Sequence, residues 1–88
     1  MKNPYVIGEK YLIRSVTNYY TGQIAAVGKY EIALTDAAWI ADTGRFHIAL
    51  RDGILSEVEP YPDGEVIIGR GAICDAAVWN HPLPREDK

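Results

Sequence analysis

Between residues 30 and 38 the chain alternates: Tyr30, Ile32 and Leu34 fall on one side, Glu31, Ala33 and Thr35 on the other. A period of two predicts a half-buried strand. Two similar segments precede it. Residues 9–17 (EKYLIRSVT) mix β-branched, aromatic and apolar side chains and predict a first strand; residues 19–27 (YYTGQIAAV) predict a second. Asn18 marks a turn between them, and Gly28-Lys29 closes the hairpin into the third strand. Gly22 interrupts the second strand, where a glycine usually signals a bulge or sharp bend. The period then changes. Phe46, Ala49 and Leu50 have the spacing of one buried helical stripe, with Asp42 or Thr43 as its cap and Gly53 as its stop. Ile54, Leu55 and Val58 are expected to carry the chain back across the core. Pro60-Tyr61-Pro62-Asp63-Gly64 is a turn that no helix could continue through. Beyond it, two apolar runs, 66–68 and 72–79, flank Gly69-Arg70-Gly71 and read as paired strands around a tight corner.

The pattern predicts a mainly β chain: a small, strongly bent five-stranded barrel with one short helix between strands three and four. Eighty-eight residues hold a single domain, 1–88, with an N-terminal arm over 1–8 and an exposed tail over 80–88 touched down by Leu83. A domain of this size buries roughly 60% of its unfolded surface. With 48% apolar residues it has enough for a core and for a face that associates, so a homo-oligomer is expected. The net charge of −3 argues against non-specific nucleic-acid binding. Cys74 is the single cysteine, expected as a buried, inert thiol. No signal peptide is visible and no apolar run approaches the ~20 residues of a membrane span, which places the chain in a cytosol.

Three short motifs carry a resemblance. Tyr20-Thr21-Gly22-Gln23-Ile24, Leu34-Thr35-Asp36-Ala37 and Ile67-Ile68-Gly69-Arg70-Gly71 follow one another as in the Sm/LSm barrel plan. The likeness covers about 45 residues. It departs where RNA would be read: the hairpin lacks an Asp-x-x-Asn loop, and Ala72 follows Arg70-Gly71 where an Asn is expected. The helix also sits inside the chain, not at its start. The whole chain resembles the small SH3/Sm-like barrel proteins of phages and prophages. That resemblance implies a cytosolic, phage-encoded source and names no activity.

The densest mixture of aromatic and polar residues is 36–45, DAAWIADTGR. Trp39 offers a stacking face, Arg45 a fork of donors, and the helix start near Thr43 free N–H groups. Arg70 between two glycines is a second anion clamp, unless it pairs with Asp75 or Glu65. Tyr19 and Tyr20 point to opposite faces, one into the core and the other outward to a ligand or a subunit. The ligand-binding set is therefore Tyr20, Trp39, Thr43, Arg45 and Arg70, holding a small anion such as a nucleotide signal, in a sequestering role. A virion or assembly protein and an Sm-like RNA binder are the competing readings. His47 belongs on the helix surface and His81 to a tail turn, so no metal site is expected. No nucleophile elbow, P-loop or dinucleotide fingerprint is present, and neither an enzyme nor a cofactor is expected.

Overall fold

A computed structural model describes residues 3–88. Six strands and one short helix run in the order β1 (Lys10–Ser15), β2 (Tyr19–Val27), β3 (Glu31–Asp42), α1 (Phe46–Asp52), β4 (Glu57–Pro60), β5 (Val66–Gly69) and β6 (Ile73–Val78), with a 3-10 turn over Arg70–Ala72. The chain is mainly β, as the alternation predicts, but with six strands instead of five. All ladders are antiparallel, in the order β4-β3-β2-β1-β6, and β5 pairs with β3 on the edge it shares with β4.

The two C-terminal apolar runs do not pair with each other. Val66–Gly69 lies against Glu31–Leu34, whereas Ile73–Val78 lies against β1. The glycine corner is a 3-10 turn that hands the chain from one end of the sheet to the other. A flat sheet would hold β5 and β6 about four strand spacings apart, roughly 19 Å. The three-residue turn advances only about 6 Å, so the sheet must curl. Among the described residues no ladder joins β5 to β6.

How β3 serves two partners on one edge is written in its register. Thr35 opposes Gln23 and Ala38 opposes Thr21, so Asp36 and Ala37 together face the single residue Gly22. Asp36 has a φ of 50°, alone among the described non-glycine residues in lying in the left-handed region. This is a β-bulge. It reverses the parity of the strand. Before it, Ile32 and Leu34 enter a cluster with Tyr11, Ile13, Ile24 and Ile68; after it, Ala38 and Ile40 enter a second cluster with Leu12, Ala49, Leu55, Val58 and Trp79. Gly22 is the partner the bulge needs, because a Cβ there would lie 3.0 Å from the Leu34 side chain.

Strand β1 is therefore buried on both faces, Tyr11 and Ile13 on one and Leu12 on the other. The first cluster is the inside of the curl. The second lies under α1 and the C-terminal segment. Tyr19 and Tyr20 divide between them, each partly buried, so neither is a fully outward residue.

The helix begins at Phe46 behind Arg45, later than the expected cap. Asp42 accepts the Gly44 N–H at 2.7 Å and closes a turn, while the Thr43 hydroxyl donates to the Gly44 carbonyl. Gly53 ends the helix in the left-handed conformation, as predicted, and its N–H reaches the Ala49 carbonyl. Four expectations of burial fail: Phe46, at the head of the expected buried stripe, is 43% exposed, and three more lie elsewhere. Tyr30 is 70% exposed because the strand starts one residue later, Ile54 is 56% exposed, and Cys74 is exposed on the outermost strand. Residues 80–88 are largely exposed, with Leu83 packed on the second cluster as expected, yet they are fastened along their length. Trp79 Nε1 donates to the Pro82 carbonyl, His81 meets the Leu50 carbonyl, and Lys88 and Val58 exchange backbone hydrogen bonds at 2.9 Å.

Candidate binding site

Ala37 belongs to the first cluster, so Trp39, two positions beyond it, lies on the face of the first cluster and away from the second. Register then builds a row across three strands. Tyr20 of β2 opposes Trp39, and Trp39 opposes Glu59 of β4. Directly opposed residues share a face with Cβ atoms about 5 Å apart, so the three side chains stand shoulder to shoulder. Tyr61, two residues beyond Glu59, returns to the same side and packs with Tyr20 against the first cluster. Its N–H donates to the Ala37 carbonyl, which the bulge leaves facing that way.

A hollow of about 260 Å³ is lined by Trp39, Glu59, Pro60, Tyr61 and Pro62. Its wall is almost wholly apolar, and Glu59 is the one charged residue along it. The prolines fix the backbone of the rim. Arg85 braces the same rim from outside, donating to the Ala37 carbonyl at 3.1 Å and the Tyr61 carbonyl at 2.9 Å. Trp39, Tyr20 and Tyr61 are all partly buried, which leaves aromatic surface in contact with solvent. Burial, and then the neighbouring Tyr20 phenol, push the Tyr61 hydroxyl above its ordinary range.

The remaining expected site residues lie elsewhere. Arg70 is partly buried; its Nε donates to the Gly28 carbonyl at 3.0 Å and its guanidinium lies 5.5 Å over the Tyr5 ring. It pairs with neither Asp75 nor Glu65. Asp75 is bonded to Arg14 across the β1–β6 ladder. Because the Arg70 N–H bonds the Tyr30 carbonyl, Arg70 and Trp39 sit nine residues apart along β3, on the order of 30 Å of strand before bending. Arg45 is exposed and leads into α1, which covers the opposite face of β3 from Trp39. Thr43 is buried, with its hydroxyl turned to its own neighbour. One chain thus unites Tyr20 with Trp39 but not with Arg45, Thr43 or Arg70.

Glu59, Pro60, Tyr61 and Pro62 were not legible as site residues. Pro60-Tyr61-Pro62 reads as a turn, and only the β3–β4 register brings it beside Trp39. A second hollow, about 360 Å³, opens at the β1–β2 turn between Arg14, Val16, Asn18, Tyr19 and Cys74. No group of three or more potential metal ligands occurs among the described residues, and no helix there is long and apolar enough to cross a membrane. No protein-family model matches the chain, and no curated protein is similar to it.

Proposed function

We propose that this chain is a non-enzymatic binding protein on a strongly bent SH3/Sm-like barrel, with the Tyr20–Trp39–Tyr61 rim as its recognition surface. The observation that carries this reading is the hollow itself: Trp39 and Tyr61, still reachable by solvent, line it beside a rigid proline rim, and Tyr20 stands next to Trp39 across the ladder. Aromatic faces of this kind hold planar or cationic groups through stacking and the ring quadrupole. A barrel is supported by the short turn that brings β5 and β6 together and by the inner cluster drawn from four strands. Of the arginines expected to hold a nucleotide-type anion, Arg45 and Arg70 are placed away from Trp39; the guanidinium beside the rim is that of Arg85, which donates to the Ala37 and Tyr61 carbonyls.

Self-association belongs to the same proposal. The outer edge of β6 (ICDAAV) has no strand partner among the described residues, and its one charge, Asp75, is already taken by Arg14. Such an edge is a template for another chain. Val16, Phe46, Ile67 and Val78 add exposed apolar area, which also favours the second reading, an assembly protein.

The test is mass spectrometry of the small molecules released when freshly purified protein is denatured, for the wild type and Trp39→Ala, with light scattering on both. A binding protein releases a compound that the variant lacks. No compound from either, with a stable oligomer throughout, would favour the assembly reading instead.

A further inference from the structure

The hollow beside Trp39 has a charge as well as a shape. Glu59 lines it, and nothing among the described residues forms an ion pair with that carboxylate. Residues 57–65, EVEPYPDGE, carry four acids and no base. The guanidinium that comes near, on Arg85, already gives two donors to the Ala37 and Tyr61 carbonyls. An anion brought to Trp39 would meet the charge of Glu59, which stands directly across the ladder. A cation would be drawn by it.

Size narrows the occupant. At about 260 Å³ the hollow is below the usual range of clefts that hold whole small molecules, roughly 300–1,000 Å³. It suits a single side-chain head group. An arginine meets both walls at once: its planar guanidinium can lie on the indole while its edge presents paired N–H donors to a carboxylate. The apolar stem would cross Pro60 and Pro62. An ammonium could satisfy Glu59 but has no plane to stack.

We propose that the Trp39–Glu59 hollow is a receptor for an arginine side chain presented by a partner protein. This rests on the rim being the recognition surface, and it sets the sign of the ligand's charge opposite to that of a nucleotide. The hollow reads the guanidinium by stacking on Trp39 and by the carboxylate that β4 places directly across the ladder.

The test is a titration of intrinsic tryptophan emission with four probes: blocked arginine, blocked citrulline (its neutral near-isostere), blocked lysine and adenosine monophosphate. Trp79, buried, is the internal control, and Trp39→Phe identifies the responding indole. Blocked arginine should bind about two- to five-fold tighter than citrulline, the range expected of an exposed cation–π contact. Glu59→Gln should bring the two together at an unchanged melting temperature, and 0.5 M salt should weaken arginine alone. Equal binding of arginine and citrulline by the wild type would overturn the charge assignment while leaving the binding surface standing. A response to the nucleotide alone would overturn the inference in favour of an anion site. Lysine binding as well as arginine would overturn the guanidinium assignment. No response to any probe would overturn both the inference and the recognition surface.

Discussion

Asp36 is where the structure can be pressed hardest, because one backbone angle decides which face Trp39 occupies. Its φ of 50° is a conformation that side chains other than those of Asn and Asp adopt with difficulty. The residue is exposed, and no hydrogen bond or ion pair holds its carboxylate among the described residues, so substitution removes little besides its conformational preference. A valine there meets the full left-handed cost of about 1–2 kcal/mol, part of which aspartate avoids. A glycine loses that cost but raises the entropy of the unfolded chain by about 0.5–1 kcal/mol. Asp36→Gly should therefore stay within about 0.5 kcal/mol of the wild type, and Asp36→Val should lose the part that aspartate avoids, about 0.5–1 kcal/mol. At about 4–8 °C per kcal/mol for a domain of this size, the valine variant should melt roughly 2–8 °C lower. Ala26→Val, at an exposed position of β2, is the control and should be neutral or slightly stabilising. Urea melts with a common slope would give all four values. If Asp36→Val matched the wild type while Asp36→Gly fell, residue 36 would be ordinary extended strand, and Trp39 would have no bulge to put it on the face of the first cluster.

Thr21 Oγ1 is fully buried without a partner on the face of the second cluster, opposite Leu12 and Ala38. Thr21→Val keeps the shape and removes the orphaned hydroxyl, so it should raise stability by about 1 kcal/mol, seen as a higher urea midpoint; a lower midpoint would mean the hydroxyl has a partner. Cys74, exposed on the edge strand, should react with a thiol reagent in the native protein without denaturant; protection until unfolding would restore the buried-thiol expectation. Burial raises Tyr5 and Tyr61 above the ordinary tyrosine value near 10, so the folded state favours their neutral forms. Their stabilisation is complete below pH 10 and is lost as pH rises through the folded values. Unfolding free energy should fall from about pH 10 upward, and less steeply in Tyr61→Phe; a Tyr61→Phe profile identical to the wild type would remove that residue from the account.

Local features were legible in the chain, whereas pairing was not. The bounds of β2 and the left-handed stop at Gly53 follow from side-chain period and from what glycine permits; the irregularity expected at Gly22 lies instead on β3, opposite it. The bulge itself was hidden because Ala37 and Ala38 suit either face, so no break in hydrophobic period marks the change of parity. For the same reason the alternation predicts an end at Ala38, whereas β3 continues to Asp42. Neighbouring runs such as 66–68 and 73–78 say nothing about which edge each joins; the curl of the sheet, which depends on every strand at once, lets a short turn pass between strands that pair with different partners. Cys74 looked buried in an apolar run, but an edge strand leaves half of such a run in water. Trp39 and Tyr20 could be nominated from their residue type. Glu59 and Tyr61 could not, since only the β3–β4 ladder makes them neighbours of Trp39. Arg45 and Arg70 were nominated by chemistry alone, and the fold assigns Arg70 to Gly28 and Tyr5.

The most direct measurement is a two-dimensional amide and indole spectrum of ¹⁵N-labelled protein during addition of blocked arginine. The two indole signals report opposite environments. Trp79, buried, donates its N–H to the Pro82 carbonyl at 3.2 Å, whereas Trp39 borders the open hollow. The account predicts that the Trp39 indole and the backbone signals of Tyr20, Glu59 and Tyr61 move together while the Trp79 indole stays in place. Shifts centred on Arg45 or Arg70 with Trp39 unmoved would contradict it.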